Sequence, residues 1–231
     1  MAKPQQIVVT GANRGLGLEI VRQLLERGEH VIATTRTGII APDSPLAALA
    51  QDRLRVHACD VALPASIDAF AQAIVAQPIC GLINNAGVWG DAQAVANLDF
   101  AEATAMYQVN ALAPLQLSLA LRPALARSKG KIVHITSGLA SIGDNSSGGN
   151  YGYRMSKAAL NMMSKNLAID LASDGILSAV IEPGWAKTDM GGPNAPTEVV
   201  DSVRGVIAQY DGLALHNTGA YLSYRGGTMA W

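Results

Sequence analysis

Tyr153 and Lys157 stand four residues apart, a spacing that on a helix puts a phenol and an ammonium on one face. A cation held beside a phenol favours the phenolate and lowers the tyrosine pKa, making a proton donor usable near neutral pH. Moving a phenol from about 10 to about 7 takes roughly 4 kcal/mol, the order supplied by one positive charge about 4 Å away at an effective dielectric of about 20. One well-placed lysine is therefore expected to suffice. Tyr151 competes for the role, but its four-residue partner is Met155, which carries no charge, so Tyr153 is preferred. Tyrosine and lysine at this spacing are common in helices at large. The pair gains meaning from a second motif, the run Thr10-Gly11-Ala12-Asn13-Arg14-Gly15-Leu16-Gly17.

That run follows the strand-like Ile7-Val8-Val9 and opens an amphipathic segment, the strand, loop and helix order of a dinucleotide site. Its glycines let the backbone turn tightly and approach a pyrophosphate, and the helix start offers unpaired amides and a positive dipole end. Gly11, Asn13, Arg14, Gly15, Leu16 and Gly17 are the expected contacts. The second strand ends at Thr34-Thr35-Arg36, where a carboxylate for a ribose 2′-hydroxyl would stand, and none is there. Arg36 and Arg14 are instead expected to face a 2′-phosphate, which selects NADP(H) over NAD(H). The plainer alternative is two solvated arginines. Asp60, followed by Val61 after the third strand, can accept from an adenine amino group or merely cap a turn. Asn84-Asn85-Ala86-Gly87 closes the fourth strand with residues that suit a wall beside the adenine ribose, although turn chemistry alone would also explain them.

The elements that must position these groups are legible as a βαβ rhythm. Apolar runs at Ile7 to Thr10, His30 to Thr35, Leu54 to Cys59, Ile79 to Asn84, Lys131 to Thr136 and Leu177 to Ile181 predict strands. Helices are expected at Gly15 to Arg27, Pro64 to Ala76, Phe100 to Ala126, Tyr153 to Ala172 and Thr197 to Gln209, with a late strand at Ala220 to Tyr224. Short continuous Val and Ile runs indicate strands covered on both faces, hence an α/β fold with a doubly wound parallel sheet. With no internal repeat and no linker-like shift in composition, residues 1 to 231 are expected to form one domain. The polar stretches Gly143 to Asn150 and Gly191 to Pro196 lie beyond strand ends and are candidate pocket walls.

With 49% hydrophobic residues and a net charge of −1, the chain gives no reason to expect a nucleic-acid or anionic-membrane partner. The apolar stretch Ala111 to Ala126 is broken by Pro114, Gln116, Arg122 and Pro123, so it reads as a packed helix rather than a membrane span. The amino end lacks the pattern of a secretory signal, and a cytoplasmic protein is expected. Cys59 and Cys80 sit in strand-like runs and are expected to be buried thiols rather than a disulfide. His57, Cys59 and Asp60 look superficially like metal ligands, but strand alternation accounts for them and no metal is expected.

The TGxxxGxG loop, Asp60, the NNAG segment, Asn110, Ser137, the Tyr153/Lys157 pair and the Pro183-Gly184 turn ending at Thr188 together resemble the short-chain dehydrogenase/reductase family. The likeness spans nearly the whole chain. Tyr153 through Asn161, Pro183 through Pro193 and the final Trp231 are similar to sniffer-type carbonyl reductases and C-factor signalling proteins. The resemblance implies a Rossmann-type oxidoreductase interconverting a small-molecule carbonyl and an alcohol. In it Tyr153 protonates the carbonyl oxygen, while Lys157 lowers the tyrosine pKa and bonds the nicotinamide ribose. It also implies that Ser137 orients the carbonyl and that Asn110 bends its helix and holds a water linking Lys157 to solvent. Pro183, Gly184, Ala186 and Thr188 would line the nicotinamide, the last two holding its carboxamide. A homodimer paired through the helices beginning at Phe100 and Tyr153 is expected on the same ground.

One departure from the family is that Ser137 precedes Tyr153 by sixteen residues (153 minus 137), with extra residues at Asn145-Ser146-Ser147-Gly148-Gly149. If that insertion does not loop out, Thr136 and Ser141 are the alternatives. Trp89, Trp185 and Met190 are candidate apolar walls for a hydrophobic or aromatic carbonyl, or ordinary core residues. A different class of function is an NAD(P)-binding signalling or regulatory protein whose output is not turnover. The intact Ser137, Tyr153, Lys157 and Asn110 set favours the enzyme, because binding alone needs no acid.

Overall fold

A computed structural model describes residues 5–91 and 94–231. Seven strands, β1 (Gln6–Val9), β2 (His30–Thr35), β3 (Leu54–Ala58), β4 (Gly81–Asn84), β5 (Lys131–Ile135), β6 (Leu177–Glu182) and β7 (Tyr221–Ser223), form one sheet in the order β3-β2-β1-β4-β5-β6-β7. Every pairing is parallel. Alternation along the strands sends Ile7, Val9, Val31 and Ala33 to one face and Val8 and Ile32 to the other, and both faces are buried. Helices α1 (Gly15–Glu26) and α7 (Val199–Gly212) cover the first face through Ile20, Val21, Leu24, Val203 and Val206. The second face is covered from α2 (Pro64–Ile74), the segment after β4 and the long α6 (Tyr151–Asp170). This is the doubly wound sheet expected from the Val and Ile runs. Chain direction across the sheet reverses between β1 and β4, and the crevice at their carboxyl ends is where such folds bind ligands.

The expected single helix from Phe100 to Ala126 is instead broken. Asp99 caps α3 (Phe100–Tyr107) by accepting from Ala101 N and Glu102 N, and the chain then widens into a π-turn at Gln108–Leu112. It resumes as α4 (Ala113–Ala120) and, after Leu121, as α5 (Arg122–Ser128). Pro114 and Pro123 fall in the first turns of α4 and α5, where a missing N–H costs nothing. Other boundaries shift by one to three residues; α7 starts at Val199 because Thr197 forms a bridge with Ala186. Both cysteines are free, but Cys80 is half-buried where a buried thiol was expected. Among the described residues no helix is long and apolar enough to cross a membrane.

Candidate active site

The carboxyl ends of the strands open into a cavity of about 1050 Å³. At one end α6 delivers Tyr153 and Lys157, both lining the cavity and both buried. The Lys157 ammonium donates to Ile135 O at 2.9 Å and lies 5.8 Å from the centre of the Tyr153 ring. Ser137, just past β5, shares a hydrogen bond with the Tyr153 hydroxyl, and its Oγ also accepts from Leu139 N at 3.2 Å. Burial pushes the Tyr153 phenol up to about 12, against the pull of the Ser137 hydrogen bond. Burial also lowers Lys157 to about 8. The expectation that one lysine alone brings the phenol towards neutrality is thus corrected. Desolvation dominates, and the ammonium is turned to a backbone carbonyl rather than to the hydroxyl.

The alternatives weighed for these positions are engaged elsewhere. Tyr151 is partly exposed and outside the cavity lining. Thr136 Oγ1 donates to Asn161 Oδ1 at 2.7 Å, and Ser141 Oγ donates to Trp231 O at 3.3 Å. The extra residues before Tyr153 do loop out. Gly148 and Gly149 take φ of +62° and +65° with open space around them, and Arg154 ties the excursion down by bonding Ser147 Oγ and Leu139 O.

Asn110 lies in the π-turn and is fully buried. Its Oδ1 accepts from Val88 N at 2.8 Å, while its Nδ2 donates to Val88 O at 2.9 Å and to Ser156 Oγ at 3.0 Å. The bend expected at Asn110 is present as the π-turn. Its side chain lies outside the cavity lining and is a clamp that joins the loop after β4 to α6. Gly87 is the thin point of that junction, since a Cβ there would come within 3.1 Å of Asn110 Oδ1 and 3.4 Å of Lys157 Nζ.

At the other end, Gly11, Asn13, Arg14, Gly15, Leu16, Gly17, Arg36, Asp60, Val61, Asn85, Ala86 and Gly87 all line the same cavity, as do Pro183, Gly184, Ala186 and Thr188 across from them. Gly11 and Gly15 adopt φ of +65° and +55°, and a Cβ at Gly17 would come within 2.2 Å of Gly11 O. Asn85 donates to Thr10 O and Gly11 O, stitching the end of β4 to the glycine loop. No side chain caps α1 and its first turn holds no acid, so its positive end is open to an anion. The backbone cradle, the uncapped helix and the absence of a carboxylate at the end of β2 fit a phosphorylated dinucleotide.

Two of the expected contacts are modified by this geometry. Arg14, expected to face a 2′-phosphate, pairs instead with Asp189 at 2.7 Å, bridging the glycine loop and the loop after Thr188. With side chains 70% and 73% exposed, the pair is worth at most about 1 kcal/mol, weak enough for a phosphate to displace it. Asp60 does cap a turn, its Oδ1 accepting from Ala62 N at 3.0 Å, while also facing the cavity.

Sequence reasoning missed two participants. Glu182 lines the catalytic end, its carboxyl raised by burial and held by a 2.6 Å bond from Gly184 N. Its place at the carboxyl end of β6, just before Pro183, was the available signal. Tyr221 donates to Ser137 O and stacks at 5.5 Å on Trp231, whose carbonyl accepts from Gly143 N. Nothing local in the sequence marks that buttress.

A doubly wound sheet with a dinucleotide cradle at its switch point defines a Rossmann-type nicotinamide-dependent oxidoreductase, and comparison with known proteins agrees. A family model described as short chain dehydrogenase matches residues 5–199. C-signal of Myxococcus xanthus is 40% identical over 164 residues, 71% of this chain and 99% of that protein. The carbonyl reductase Sniffer of D. melanogaster superposes with a TM-score of 0.92 at 30% identity, covering 99% of this chain and 100% of that one. An NADPH-bound carbonyl reductase from chicken fatty liver superposes with a TM-score of 0.90 at 33% identity over 100% of both chains. The chain belongs to the short-chain dehydrogenase family.

Proposed function

We propose that this chain, acting as one domain over residues 1–231, reduces an apolar aldehyde or ketone to an alcohol with NADPH. The observation that carries the reading is the convergence of Ser137, Tyr153 and Lys157 at the end of a cavity whose far end is the glycine cradle. Bound there, the nicotinamide supplies the hydride. Tyr153, a phenol that burial keeps protonated, gives its proton to the carbonyl oxygen. Ser137 donates to the same oxygen and fixes its approach. Lys157, charged below about pH 8, stabilises the phenolate left behind and bonds the nicotinamide ribose. Asn110 holds the wall opposite through Val88, and Ala186 and Thr188 receive the carboxamide.

Arg36, with Arg14 released from Asp189, supports a preference for NADP(H), as does the NADPH carried by the chicken reductase. Exposed Leu112, Leu119, Met155, Met162 and Ile169 on α4, the π-turn and α6 support pairing of two copies, which sedimentation would test. The two free thiols suit a reducing cytoplasm. A second reading, an NAD(P)-binding protein whose output is signalling, is favoured by the likeness to C-signal. Consumption of NADPH and of NADH against a panel of aldehydes and ketones separates the two. Turnover with an NADPH preference is expected; tight binding without turnover on any carbonyl would favour signalling.

A further inference from the structure

The loop after β4 is pinned on either side of Trp89. Asn110 holds both backbone groups of Val88, and Glu102 Oε1 accepts from Asp91 N at 2.9 Å. Gly90 between them is packed against α3, where a Cβ would come within 2.5 Å of the Glu102 carboxyl carbon and 2.8 Å of Met106 Cε. The indole carried by this fixed loop lies on the Tyr153 ring, with centroids 4.5 Å apart and planes inclined by 48°. That separation is within the range of favourable aromatic pairs. Trp89 remains 42% exposed and lines the cavity. The proton donor is therefore backed by an immobilised aromatic surface, part of which is left uncovered beside the place where a carbonyl must dock.

We propose that Trp89 is a specificity-determining residue, its indole forming the wall on which an aromatic ring conjugated to the reacting carbonyl stacks. The proposal rests on the carbonyl-reduction reading above. A carbonyl oxygen accepting from the phenol lies about 2.7 Å from that hydroxyl, so substituents on the carbonyl carbon begin within a ring's breadth of the indole. An aryl ketone stays planar through conjugation and can hold its ring flat against the indole while its oxygen meets Tyr153 and Ser137. A saturated ring of equal size is thicker, puckered and without a π-face, so it loses the stacking contact. Because the ring takes no part in the bonds made or broken and its stacking is already present in the bound substrate, its effect falls on KM rather than kcat.

The test compares acetophenone with cyclohexyl methyl ketone, using NADPH consumption by the full chain and its Trp89→Leu and Trp89→Phe variants. The wild type is expected to favour the aryl ketone. Trp89→Leu is expected to cut the aryl-to-saturated ratio of kcat/KM about tenfold through the KM of acetophenone, with Trp89→Phe restoring most of it. Equal loss on both ketones in Trp89→Leu, or a wild type without preference, overturns the proposal while leaving carbonyl reduction standing. A wild type that binds NADPH but reduces neither ketone nor any simple aldehyde overturns both readings together.

Discussion

The Tyr153–Lys157 pair illustrates how burial and charge compete at one side chain. Lys157 is a buried ammonium lowered to about 8 from 10.5, so its charged form is disfavoured by roughly 3 kcal/mol relative to the unfolded chain. That cost is fully present below pH 8 and is relieved as pH rises from 8 towards 10.5. Two outcomes follow. The reductive kcat/KM is expected to hold up to about pH 8 and fall above it as Lys157 loses its proton, which a pH–rate profile would register. Lys157→Met is expected to lose at least about a hundredfold in kcat/KM while raising rather than lowering Tm at pH 7, because an apolar side chain replaces a desolvated charge. In Arg36→Asp, a carboxylate at the end of β2 is expected to repel the 2′-phosphate and favour NADH, read from the ratio of the two KM values.

At the scale of elements, two junctions set the site. The glycine loop tolerates no side chain at Gly17, where a Cβ would press into Gly11 O at 2.2 Å. Gly17→Ala is therefore expected to abolish measurable NADPH binding in calorimetry, whereas Gly148→Ala, in open space, is expected to leave it intact despite some backbone strain. The other junction is the π-turn. Its Asn110 side chain holds Val88 from 22 residues away, so Asn110→Ala frees the loop that carries Trp89 and strands buried polar groups. A loss of about tenfold or more in kcat is expected. Widened helical turns at functional sites are a recurring device, and here the turn is what aims the clamp.

For the molecule as a whole, acid sensitivity has an identifiable source. His134, near the carboxyl end of β5, is fully buried and held near 3 by burial and by the charge of Lys157, with Asn84 Nδ2 bonded to its Nδ1 at 3.1 Å. A folded pKa below the unfolded value of about 6.5 means that stability is lost as pH falls below 6.5, by about 2 kcal/mol at pH 5. Thermal melts at pH 7 and pH 5 would show the drop, and His134→Asn would reduce it. The doubly wound parallel sheet and much of the cavity lining were legible in advance because strand periodicity, the glycine loop and the Tyr153/Lys157 spacing are local patterns. The long-range pairings were not. Arg14 meets Asp189 across 175 residues and Tyr221 meets Ser137 across 84, and neither partner carries a local signal. The tyrosine pKa was misjudged for a similar reason, since burial is a property of the assembled core.

Tyr153 is proposed as the proton donor of an NADPH-dependent carbonyl reduction. Tyr153→Phe removes one hydroxyl and leaves the ring packed on Trp89, so it isolates that role. Measured together, NADPH affinity and NADPH consumption with a reducible ketone are expected to separate. Affinity should stay within a fewfold of wild type while kcat falls by at least about a hundredfold. Turnover undiminished in this variant, with binding intact, would exclude Tyr153 as the donor.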